Sequence, residues 1–220
     1  MLNNFDLNQL VVMIVPLLLA VTVHEVAHGY VAYRLGDPTA MLAGRLTLNP
    51  LKHLDFFGSF LLPLVLKFTG SPFIFGYAKP VPVNFANFQD VPKSTIYVSS
   101  AGVIANLALA IVSGICFQIL VHFESIWYAS ILRPIVLDLF HMLGYSVVIN
   151  SVLAVFNMIP IPPLDGSRIL AMLLPPRLRA QFARIESFGM IIIVFLLITD
   201  SLSKVISFFL NPLINILLGR

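Results

Sequence analysis

The chain has 220 residues, of which 59% are hydrophobic and only 10% charged, far from the soluble domains in which roughly a quarter of residues carry charge. Its mean hydropathy of +0.96 makes a bilayer the solvent, and several spans of about 20 residues each leave no room for a sizeable soluble domain. The net charge of +3 comes from Lys and Arg scattered between apolar runs, which argues against nucleic-acid binding, and the single cysteine, Cys116, excludes an internal disulfide.

Residues 1–6 carry no Lys or Arg ahead of the first apolar run, and no small-residue cleavage site ends that run. The N-terminus therefore reads as a first span rather than a signal peptide. Residues 10–35 are long enough, at 1.5 Å per residue, to cross the hydrocarbon as a helix, with a kink expected near Pro16. Residues 36–55 are turn-rich and polar, a loop outside the bilayer. Residues 56–68 are apolar but number only 13 and have Pro63 at their middle, so a re-entrant or interfacial segment is expected. Residues 71–92 are rich in proline and β-formers. Within them Lys79-Pro80-Val81-Pro82-Val83-Asn84 alternates like an edge strand, where proline is tolerated because no ladder donor is missed.

Residues 95–122 contain no Asp, Glu, Lys or Arg, and Ala101, Gly102, Ala105, Ala108 and Gly114 permit close helix contact, making this the second span. Residues 135–159 form the third, followed by a proline-rich turn and a segment over 164–174. Residues 187–218 are apolar with a polar interruption at 199–204, read as two short helices or a hairpin. The expected fold is an all-α polytopic membrane protein forming a single domain over 1–220. It comprises a three-helix core over about 10–170, a re-entrant/β-hairpin insertion and additional C-terminal membrane helices.

His24-Glu25-Val26-Ala27-His28 is an H-E-x-x-H pattern, which on a helix sets two imidazoles one turn apart on one face with a carboxylate beside them. A solvated helix face is the bland alternative. It fails because the cluster ends a long apolar run, and ionisable groups at membrane depth cost several kcal/mol unless paired, bound or wet. Catalytic zinc takes three protein ligands and keeps one position for water, so a third ligand is required from among Asp37, His53, Asp55, Asp138, His141 and Asp165.

His24 and His28 lie toward the exit end of the first span. If residues 56–68 do not cross, the second and third spans return the chain to that side just before Asp165. Charge agrees with this topology. Arg34, Arg45, Lys52, Lys67, Lys79 and Lys93, together with Arg168, Arg177, Arg179 and Arg184, then share one side, against Arg133 on the other, and the positive-inside rule turns the site toward the cytoplasm. Asp165 is the favoured third ligand, with His53 and Asp55 as alternatives.

Four stretches in order, His24-Glu25-x-x-His28, Gly76 to Asn84, Ser100-Ala101-Gly102-Val103-Ile104-Ala105-Asn106 and Asn157 to Gly166, resemble the motifs of the site-2 protease family of intramembrane zinc metalloproteases. The resemblance implies one zinc ion on His24, His28 and Asp165, with Glu25 as base. It adds Asn106 and Asn157 as polar groups near the site, either as substrate contacts or as interhelical hydrogen bonds. The implied substrate is a membrane protein with a transmembrane helix; because a helix's carbonyls are already bonded it must unwind locally, and an edge strand around Pro80 to Phe85, with Pro80, Val81, Pro82, Val83 and Asn84 as contacts, is expected to hold it by strand addition. The implied place is a prokaryotic cell membrane, with the active site near the cytoplasmic face. The loop motif around Asn49 to Asp55 has no assigned role, and His53 there is read as a loop residue. A transporter using intramembrane His and Asp, and a non-catalytic zinc-binding membrane protein, are the rival readings.

Overall fold

Asp90 shows how the long helices begin: its side chain accepts the Lys93 amide at 3.1 Å, and Pro92 occupies the first turn, where its missing N–H costs nothing. The helix therefore starts at Val91, four residues before the uncharged run. A computed structural model describes residues 7–68, 76 and 78–219. The reading of the extreme N-terminus and part of the expected hairpin, including Tyr77, fall outside the described residues.

The helices are α1 (Leu7–Arg34), α2 (Thr39–Leu42), α3 (Leu62–Phe68, continuing a π-helical turn at Phe56–Leu61), α4 (Val91–His122) and α5 (Glu124–Tyr128). They are followed by α6 (Arg133–Asn157), α7 (Asp165–Leu173), α8 (Pro176–Ile185), α9 (Gly189–Ile198) and α10 (Ser201–Leu218). Helix α1 continues through Pro16. Five stretches among the described residues are long and apolar enough to cross a membrane: Asn8–Arg34, Val91–His122, Arg133–Asn157, Pro176–Ile198 and Ser201–Leu218. Residues 56–68 are not among them; at 1.5 Å per residue they reach about 20 Å, short of a 30 Å core. The C-terminal region resolves into two helices that pack on each other, broken at Asp200, whose backbone is left-handed (φ 56°).

Helices α1, α4 and α6 pack pairwise on one another, α7 packs on α4, and α10 closes against α6 and α4. Their outer faces carry exposed Leu, Ile, Val and Phe, the surface a span presents to lipid. Between them lie buried polar residues, Asn106, Asn150, Ser113, Ser146 and Ser151. No strand is formed among the described residues. The expected edge strand is extended backbone without a ladder, because proline occupies alternate positions and the amides of Lys79, Val81 and Asn84 bond to a loop carbonyl and to side chains.

Candidate active site

Antiparallel packing of α1 and α4 sets Val98 beside His28 and Asn106 beside His24, one helical rung apart. His28 Nδ1 lies 2.6 Å from the Val98 carbonyl oxygen, which can only accept, so that nitrogen carries the proton. Asn106 donates Nδ2 to the Ala20 carbonyl at 3.2 Å and to Asn150 Oδ1 at 2.8 Å, which turns its Oδ1 toward His24 Nδ1 at 2.6 Å. His24 Nδ1 is therefore a donor as well. Asn150 donates in turn to the Ser146 carbonyl, and Ser146 Oγ meets Ser113 Oγ at 2.8 Å.

With Nδ1 donating, Nε2 is the lone-pair atom of each ring in its neutral form. The two Nε2 atoms face each other at 3.0 Å. Asp165, at the first position of α7, brings Oδ2 to 3.2 Å from His24 Nε2 and 3.3 Å from His28 Nε2, and that oxygen is buried with no hydrogen-bond donor. Three potential ligand atoms thus converge on one point, a donor set suited to a cation. The edge of a tetrahedron with zinc–nitrogen bonds of 2.0–2.1 Å is about 3.3 Å, so the triangle of 3.0, 3.2 and 3.3 Å fits the ion's donor set.

Gly102 lies over this triangle. A Cβ there would stand 2.5 Å from His24 Cε1 and His28 Nε2, so only glycine lets α4 approach both rings. Gly166 does the same for the turn before α7, where a Cβ would strike the Met158 carbonyl. Glu25 Oε2 accepts the Val81 amide at 2.7 Å. A cavity of about 180 Å³ joins His24, Glu25 and His28 to Pro80, Val81, Val83, Asn157 and Asp165. A second, of about 320 Å³, runs from His24 and Glu25 between α6 and α9, lined by Phe156, Ile193, Val194 and Leu197.

The structure thus brings His24, His28 and Asp165 to one point, with Glu25, Pro80, Val81 and Val83 on the wall. Asn106 stands behind His24, and Asn157, which donates to its own Leu153 carbonyl, lines the cavity. Pro82 and Asn84 are not among the residues lining the cavity, and the Asn84 amide donates to Asp37. His53 is buried in the 36–55 loop and bonds the Thr47 carbonyl; it does not join the cluster. Sequence reasoning missed Asn150, an amide within an apolar span, and weighed Asp37 only as a metal ligand; Asp37 is a fully buried loop carboxylate that does not join the cluster. Burial pushes the Asp37 carboxyl up, but bonds from the Thr39 hydroxyl, the Asn84 amide, the Asn87 side chain and the Thr39 amide outweigh it and hold the group below the usual carboxylate range.

The model of Peptidase family M50 matches residues 12–199. The chain belongs to peptidase family M50. Among M50-type relatives it is 38% identical over 211 residues, 96% of this chain and 89% of the other, to a Bacillus subtilis (strain 168) protein named "Putative zinc metalloprotease YwhC". It is 30% identical over 188 residues, 85% of this chain and 66% of the other, to the Mycolicibacterium smegmatis protein named "Putative zinc metalloprotease Rip2". The Mycobacterium tuberculosis (H37Rv) protein of the same name is 27% identical over 195 residues, 88% of this chain and 69% of its own length. No solved structure matches the chain significantly. M50 membership and the apolar helices together make the chain a membrane metalloprotease.

Proposed function

We propose that this chain hydrolyses peptide bonds in or near transmembrane segments of membrane-protein substrates, using one zinc ion on His24, His28 and Asp165 and Glu25 as general base. The observation that carries the reading is the meeting of three potential ligand atoms with Glu25 on the same cavity, within helices suited to a bilayer. Residues 10–170 are the catalytic core and 187–218 flank it, within one domain over 1–220.

His24, His28 and Asp165 would hold the zinc, which would supply Lewis acidity: a lower pKa for water, toward about 7, and polarisation of the scissile carbonyl. Glu25 holds Oε2 on the Val81 amide and has Oε1 for the water proton, taken as the water oxygen attacks the carbonyl carbon. Glu25 then returns that proton to the amide nitrogen as the C–N bond breaks. Asn106 keeps the proton on His24 Nδ1 and hence the lone pair on Nε2. Asn157 faces the cavity as a substrate contact.

A substrate helix must unwind to expose its carbonyl. Along the cavity, Val83 has its N–H and C=O unbonded among the described residues, which suits strand addition over Pro80 to Asn84. The apolar cavity beside the site, toward α9, suits an apolar substrate. The distribution of Lys and Arg favours an orientation with the site toward the cytoplasm. Cysteines placed at 59, 130 and 201 test this: the first reacts from the cytoplasmic side, the other two from outside.

Purified wild type and Glu25→Gln, with bound zinc and cleavage of a transmembrane-helix substrate measured together, test the function. Zinc retained and cleavage lost is expected; cleavage persisting in Glu25→Gln removes Glu25 as base. A wild type that binds zinc and moves ions without cleaving would instead support a transporter.

A further inference from the structure

The loop 36–55 buries a carboxylate, a guanidinium and an imidazole: Asp37 is 0%, Arg45 7% and His53 1% exposed. None of the three forms an ion pair with an oppositely charged side chain among the described residues. Burying such groups is costly unless hydrogen bonds compensate. Their partners are almost all main-chain or amide groups, and two of them, the Asn84 amide and the Lys79 carbonyl, belong to one neighbouring segment.

That segment is the extended strap Lys79–Asn84. At its first residue the Lys79 amide donates to the His53 carbonyl at 2.9 Å, and Arg45 Nη2 donates to the Lys79 carbonyl at 2.7 Å. His53 is itself fixed by its ring, Nε2 to the Thr47 carbonyl at 2.9 Å. At the last residue the Asn84 amide donates to Asp37 Oδ2 at 2.8 Å, and Asn87 Nδ2 donates to Asp37 Oδ1 at 2.7 Å. The strap is held at both ends by one loop, and midway between them the Val81 amide donates to Glu25.

The prolines make this arrangement sensitive to register. A slip of one residue in either direction would put Pro80 or Pro82 opposite Glu25, and neither has an N–H to give. The Val81 side chain is pressed onto Gly29, where a Cβ would stand 2.8 Å from Val81 Cγ1, so the strap sits close on α1 one turn beyond Glu25.

We propose that Asp37, Arg45 and His53 are positioning residues for Glu25: they fix the register of the 79–84 strap so that the Val81 amide orients the Glu25 carboxylate. This rests on Glu25 being the base. The device lies outside the metal ligands, and it gives the unassigned loop motif a function.

The test uses the full chain in detergent or bilayer, with Asp37→Ala, Arg45→Met and Arg45→Lys. Three readings are made: bound zinc, kcat and KM for a transmembrane-helix substrate, and hydrogen exchange over peptide 79–84. Asp37→Ala and Arg45→Met should keep zinc, speed exchange in the strap, and lower kcat by about 10- to 100-fold, within what a general base supplies, while any rise in KM reports the same strap's hold on the substrate. Arg45→Lys, which restores a donor to the Lys79 carbonyl, should recover most of the kcat and slow the exchange again.

Faster exchange with unchanged kcat overturns the proposal while leaving Glu25 as base. Loss of zinc in both Asp37→Ala and Arg45→Met overturns it too, by showing that the loop holds the fold rather than the base. An active Glu25→Gln brings down the underlying reading instead, and shows itself separately.

Discussion

Replacing Gly102 by alanine tests the geometry of the three-ligand cluster most directly. The added methyl would sit 2.5 Å from His24 Cε1 and from His28 Nε2, and 2.6 Å from His24 Nδ1, where ordinary contact begins near 3.4 Å. The rings or the helix must therefore give way by about 0.9 Å. Neither ring can simply rotate, since each is held from behind at 2.6 Å, by Asn106 and by the Val98 carbonyl. Metal–ligand distances tolerate only about 0.2 Å, so the donor triangle is displaced by several times that margin. The expected loss of zinc affinity exceeds about 100-fold, roughly 2.7 kcal/mol, more than losing an outer hydrogen bond costs. Helix propensity meanwhile moves in favour of alanine by about 1 kcal/mol, so helicity should survive. Chelator competition followed by elemental analysis measures the affinity, and circular dichroism the helices. Gly144→Ala is the control, because its methyl would meet Phe117 at an ordinary 3.5 Å. Zinc bound by Gly102→Ala as tightly as by wild type would refute the assignment of the cluster as the metal site.

Asn106→Ala should retain the three donors but weaken zinc by about 10- to 100-fold, since His24 Nδ1 loses its acceptor; competition with a chelator checks this. Asp37 makes stability depend on pH. Its folded carboxyl titrates below the ordinary value of about 3.9, so its contribution is full above that value and lost as pH falls through the depressed one. Thermal unfolding scanned from about pH 5 downward should show wild type losing more stability than Asp37→Asn, which starts lower and changes less; parallel curves would contradict it.

Much of the helical plan was legible because bilayer spans announce themselves by length and lack of charge. Boundaries moved where caps intervened: Asp90 and Pro92 start α4 before the uncharged run, and α6 ends at Asn157 rather than 159. The convergence on Asp165 was legible through topology, since residues 56–68 are too short to cross and the chain returns to the side of α1 that bears the histidines. The 79–84 segment was legible as extended but not in its partners. Alternating β-formers and prolines specify a backbone shape, and only three-dimensional packing reveals that its amides go to Glu25, Asp37 and a loop carbonyl. For the same reason Arg45 looked like an ordinary loop charge, and Asp37 was weighed only as a metal ligand. Asn150 escaped because one amide in an apolar helix carries no periodic signal.

The chain of amides and hydroxyls from His24 through Asn106 and Asn150 to Ser146 and Ser113 has a second consequence, for assembly. In lipid, leucine gains little by facing another helix instead of an acyl chain, so apolar contacts scarcely distinguish one rotation of a helix about its axis from another. The polar chain does distinguish them: Asn106 reaches α1 and Asn150 together only when α1, α4 and α6 share a single azimuth. The same bonds that aim an imidazole therefore act as a key between three helices. Inserting the chain and shaping its catalytic centre become one event, and a substitution deep in α6 is felt at the metal.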